Sequence, residues 1–131
     1  MIKIVNNIIP FKGFLAMCLW PFLFIRKENL KHFSWCDENH ENIHAYQQQE
    51  MFIVGDVLAL ILAFLGFQWW SLITLPLFYW WYLAEWIVKC VIYCNPMTAY
   101  KNVSFEREAY NNQSDMTYID KRKMFNWLNF I

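Results

Sequence analysis

Two apolar stretches constrain this chain more than any other feature. Met51 to Phe67 carries Asp56 as its only charge, and Leu72 to Tyr93 carries only Glu85 and Lys89. As a helix, each is long enough to cross about 30 Å of hydrocarbon. The linker between them, Gln68-Trp69-Trp70-Ser71, holds no cation, and its tryptophans suit the headgroup layer of a bilayer. The pattern predicts a helical hairpin of two transmembrane helices. Composition agrees: 58% of the residues are hydrophobic and 21% aromatic, whereas soluble domains are about half apolar. A chain of 131 residues has little interior in which to hide the excess. Lysine and arginine cluster before the first stretch (Lys3, Lys12, Arg26, Lys27, Lys31) and after the second (Lys101, Arg107, Lys121, Arg122, Lys123). Both termini are therefore expected in the cytoplasm. Formal net charge is zero, which argues against nucleic acid as a partner. The bilayer itself is the expected surrounding.

The remaining segments are read as parts of one integral-membrane domain covering 1–131. The N-terminus lacks the layout of a signal peptide. The run from Phe14 to Arg26 is too short to span a bilayer, and Pro21 divides it, so a short N-terminal β-hairpin around Trp20 and Pro21 is expected, with an interfacial helix as the rival. Ser34 or Asp37 can cap the next helix, which no glycine or proline interrupts until Gly55. That helix is expected at about 38–66, the second span at about 70–94 and a shorter helix at about 103–112. A C-terminal helix at about 115–130 mixes Lys121, Arg122 and Lys123 with aromatics, a pattern suited to the membrane surface. Four cysteines, Cys18, Cys36, Cys90 and Cys94, form no C-x-x-C pair and demand no disulfide framework.

The residues that carry chemistry are His40-Glu41-Asn42-Ile43-His44, an H-E-x-x-H string. On a helix the two histidines lie about 40° apart at 100° per residue, so both imidazoles can grip one Zn²⁺ from one face. Glu41 sits beside them as the expected general base, with zinc-bound water as the nucleophile. Catalytic zinc commonly takes three protein ligands, so a third is required from elsewhere. Glu50 is six residues beyond His44, but the zincin class with that spacing needs a glycine three residues after the second histidine, and Gln47 stands there. Glu50 is rejected on that ground.

Further along, Glu106-Arg107-Glu108-Ala109-Tyr110 supplies an E-x-x-A. An H-E-x-x-H followed by a separate helix bearing this motif resembles the gluzincin zinc metallopeptidases, and the wider string is similar to the compact membrane-embedded "minigluzincins" of bacteria. The resemblance covers most of the chain. It implies Glu106 as the third zinc ligand, and Ala109 as the small residue that lets the glutamate helix pack closely. Tyr110 stands where many members have Asp, so the usual acidic partner of a zinc histidine is missing. Glu108 is the rival ligand. It lies about 200° round the helix from Glu106, so both cannot face one ion.

Other ionisable groups have more ordinary expectations. Asp56 and Glu85 are charges in apolar runs, for which a structural pair, such as Glu85 with Lys89, is favoured over a role at the metal. His32 reads as a polar loop residue. Cys36 with His40 and His44 could make a purely structural zinc site, which leaves Glu41 unexplained. The favoured function is zinc-dependent endopeptidase activity at the cytoplasmic membrane interface, on a peptide or membrane-protein substrate. The alternative is a non-catalytic membrane scaffold with a structural metal. A pore-forming peptide would not explain the polar helix that carries the motif.

Overall fold

A computed structural model describes all residues from Met1 to Ile131. The protein is mainly helical, with one small sheet near the N-terminus. The chain divides into two compact units, one made of 1–46 and 108–123, the other of 47–107 and 124–131. Two helices, α1 (Trp35–Leu62) and α4 (Ser104–Asn112), run unbroken from one unit into the other.

The first unit opens with three strands, β1 (Ile2–Asn6), β2 (Ala16–Leu19) and β3 (Phe22–Arg26). β3 is central. It pairs antiparallel with β2, with Cys18 opposite Leu23, and parallel with β1. The expected hairpin is thus β2–β3, and β1 is an addition to it. Leu23 and Ile25, on alternate positions of β3, are fully buried, as the two-residue period requires. The Arg26 guanidinium donates to the Pro10 carbonyl at 2.6 Å and pairs with Glu28.

Ser34 and Asp37 then cap α1 reciprocally. The Ser34 backbone N–H and hydroxyl donate to Asp37 Oδ2 at 2.8 and 2.6 Å, while the Asp37 N–H approaches Ser34 Oγ at 3.3 Å. This satisfies donors that the first turn of a helix leaves free. Both capping candidates are used together.

Along α1 the ordinary pattern is inverted. Its polar half is buried: Asn39, His40, Glu41, His44, Gln47, Gln48 and Glu50 are all 9% exposed or less. Its apolar half is open, with Ile53, Val57, Leu60 and Ile61 all exposed. After a π-helical turn, Ala63–Phe67, the helix is broken by Gly66 at φ 91° and Gln68 at φ 40°, and a separate 3₁₀ helix, Gln68–Thr74, follows. One helix, the one that begins at Trp35, is long and apolar enough to cross a membrane.

The second apolar helix, α2 (Leu77–Tyr93), is shorter than expected. Residues up to Thr74 are spent in the 3₁₀ helix, and Pro76, which has no N–H to give, stands at its N-cap. At 17 residues it spans about 26 Å at 1.5 Å per residue, the short end of transmembrane lengths. One membrane-length helix is therefore found where the sequence predicts two. Gly55 lets the return segment approach α1. A Cβ there would lie 2.4 Å from the Thr74 carbonyl oxygen, and Thr74 Oγ1 donates to the Gly55 carbonyl at 2.9 Å.

After α3 (Pro96–Lys101), which the sequence reading did not anticipate, α4 begins at Ser104. Glu85 of α2 holds its start: Oε1 accepts the Ser104 N–H at 2.8 Å and Oε2 accepts the Ser104 hydroxyl at 2.6 Å. Lys89 lies 3.8 Å from the same carboxylate. Glu85 is thus structural, a helix cap supplied from another helix. In this unit Met51, Phe78, Val103, Phe105 and Trp127 form the core. In the first unit Ile43, Ala109 and Tyr118 pack together.

The expected C-terminal helix is not continuous. It resolves into α5 (Tyr118–Lys121), a turn, and a 3₁₀ helix, Asn126–Phe130. The break has two causes. Arg122 leaves the helix in extended conformation and donates to Glu108 through Nε at 2.8 Å and Nη2 at 3.1 Å, and Phe125 adopts φ 56°.

Candidate metal centre

His40 and His44 lie four residues, about one helical turn, apart on α1. Their rings meet edge to face with centroids 4.7 Å apart, and their Nε2 atoms lie 3.0 Å from each other. Both are buried, 8% and 7% exposed. His40 Nδ1 is 3.0 Å from Gln113 Oε1. With its oxygen facing the ring, the Gln113 amide would accept from an Nδ1–H, the tautomer that leaves a lone pair on Nε2. Tyr110 flanks the same ring, with centroids 4.7 Å apart and planes inclined at 63°.

Glu106 is 3% exposed on α4, and its Oε1 accepts the Tyr82 hydroxyl at 2.9 Å. His40, His44 and Glu106 each offer one ligand atom, and these atoms all lie within 4.8 Å of one another. This buried His-His-Glu group could hold a metal ion. The donor set fits one. For a tetrahedral ion bound at about 2.0–2.1 Å, two nitrogens stand about 3.3 Å apart, close to the 3.0 Å found between the Nε2 atoms. Two ring lone pairs at that distance repel unless a proton or a cation lies between them.

The other candidates stand apart from this group. Glu108 is wholly buried, and Arg122 and the Tyr118 hydroxyl, which donates at 2.7 Å, both bond its carboxylate. It is engaged in a structural ion pair. Cys36, Glu50, Asp56 and His32 do not belong to the ligand cluster either. All four cysteines are free.

Glu41 is 9% exposed, one residue along from His40. Its charge is felt by Cys18, whose thiol is pushed up to about 12, mainly by burial and secondarily by the Glu41 carboxylate. The two residues therefore belong to one buried region of the first unit, with the Cys18 thiol held neutral. Sequence reasoning missed Gln113, Asn39 and Tyr82. Only Tyr82 left a signal, because a tyrosine hydroxyl in an apolar run must find a partner.

No family model, curated protein or solved structure matches this chain. Any functional reading must come from the side chains themselves. Ala109 is fully buried in the cluster with Ile43, the residue just before His44. A bulkier side chain would have no room there.

Proposed function

We propose that this protein is a zinc-dependent membrane endopeptidase of gluzincin type. The observation that carries the reading is the buried His40–His44–Glu106 group with Glu41 adjacent on the same helix. Two imidazoles and one carboxylate are the donor set of many catalytic zinc sites, which keep a fourth position open for water or substrate. Bound there, zinc would supply Lewis acidity, polarising a scissile carbonyl and easing ionisation of water. The chain's own groups do the rest. Glu41 takes the proton of the attacking water and returns it to the leaving amine. Tyr82 holds one oxygen of Glu106 at 2.9 Å and so restricts its carboxylate.

The membrane setting rests on the exposed apolar half of α1. With α2 as the returning span, Trp69 and Trp70 would sit at the far interface and the histidines near the cytoplasmic one. Substrates would then be membrane-anchored proteins or peptides delivered at that surface. Peptide-library digestion by detergent-purified protein, with products read by mass spectrometry, tests the activity. Cleavage should need added zinc and should vanish in Glu41→Gln. Zinc bound at unit stoichiometry with no cleavage of any peptide would favour a scaffold with a structural metal instead.

A further inference from the structure

The loop that follows α4 is fastened to the residue preceding His40. Asn39 Nδ2 donates to the Gln113 carbonyl at 2.9 Å and to the Asp115 carbonyl at 3.0 Å. Asn39 is 8% exposed, so these bonds face little competition from water. The Gln113 backbone is thus fixed one residue away from the histidine that its side chain reaches, with Oε1 3.0 Å from His40 Nδ1. Tyr110 closes another side of the ring. His40 is held by an anchored amide and an aromatic edge, and its Nε2 is directed at His44 Nε2.

We infer that Gln113, anchored through Asn39, is a positioning residue that selects the Nδ1–H tautomer of His40 and aims its Nε2 lone pair at the metal position. The inference rests on the metal-site reading above. Metal-binding histidines usually donate their second ring nitrogen to a carboxylate or a carbonyl. Here a neutral side-chain amide supplies that carbonyl, one helical turn beyond the place where the resembled enzymes carry an acid. The amide orients the ring without adding a negative charge beside the ligands. Were the amide turned so that its nitrogen faced His40, Nδ1 would accept, the proton would sit on Nε2, and the ring could not ligate.

Two measurements separate these cases. The first is long-range ¹H–¹⁵N correlation on histidine-labelled, metal-free protein at about pH 8.5, where an ordinary imidazole is neutral. His40 should show the Nδ1–H pattern, and Gln113→Met should shift it towards Nε2–H. The second is zinc affinity by competition with a chromogenic chelator. Gln113→Met should bind zinc about 10- to 100-fold more weakly. Gln113→Glu, which keeps an acceptor in place, should restore at least wild-type affinity. An Nε2–H tautomer in the wild type overturns the inference, as does Gln113→Met binding zinc as tightly as wild type. A wild type that binds no zinc overturns the metal-site reading and this inference with it, whereas zinc-binding wild type with an indifferent Gln113→Met overturns this inference alone.

Discussion

Arg122→Met should loosen the first unit severely. The Glu108 carboxylate is wholly buried, and the Arg122 side chain is 3% exposed. Arg122 gives it two N–H donors, at 2.8 and 3.1 Å, and Tyr118 gives one O–H donor at 2.7 Å. Methionine fills much of the same space without a charge. A buried carboxylate then loses its charged partner. Breaking one side of a buried pair costs about 3–5 kcal/mol. Hydrogen exchange read by mass spectrometry, in lipid nanodiscs, should detect this in peptides covering α4 and α5, with exchange about two to four decades faster where opening passes through this unit. The companion variant replaces all three groups together: Glu108→Leu, Tyr118→Phe and Arg122→Met. It removes the carboxylate together with the guanidinium and hydroxyl that bond it and should recover most of the loss, since well-packed apolar replacements of buried pairs are often neutral. Exchange in Arg122→Met within threefold of wild type would refute the reasoning. It would mean that the carboxylate is solvated or protonated at little cost.

Three further outcomes are expected. Gly55→Ala places a methyl 2.4 Å from the Thr74 carbonyl oxygen and should destabilise the second unit by about 1–3 kcal/mol or more, measured as a lowered midpoint in denaturant titration. Glu106→Ala should lower zinc affinity at least about tenfold and Glu108→Ala should leave it nearly unchanged, while Glu41→Gln retains the ion, all by metal analysis after gel filtration. Cys18, with its pKa raised from 9.0 to about 12, should be about a thousandth ionised at pH 9.0. In a variant lacking the other three cysteines, maleimide should therefore label native protein far more slowly than denatured protein. The sign for stability follows. The native state holds its thiol proton where the unfolded chain releases it, so stability falls as pH rises from about 9 to about 12.

What could be read in advance was local. The start of α1, its Ser34 and Asp37 caps, the β2–β3 hairpin and α4 each depend on residues within a few positions of one another. The pairing of His40 with His44 follows from helical period alone. What escaped was set by distant partners. β1 is an edge strand whose parallel partner β3 lies well beyond it in the chain, with β2 between them in sequence. The C-terminal segment has helical spacing, yet Arg122 is drawn out of it by the buried Glu108, and no periodicity encodes that attraction. Gln113 is invisible for the same reason, because it acquires its role only when Asn39 gathers the loop. The second apolar run was misjudged on a signal that was present: Pro76 sits inside it and delays the α-helix to Leu77.

Glu85 and Tyr82 lie on α2 about one turn apart, and both reach α4 within its first three residues. One fixes where the glutamate helix starts, and the other fixes an oxygen of the glutamate. The apolar helix therefore acts as a datum for Glu106: its axial rotation and its slide along its own length are both registered at the carboxylate. A rotation of α2 by one residue, about 100°, would release both bonds at once. In the proposed membrane setting, a change of bilayer thickness or detergent chain length should then alter metal retention without touching a ligand.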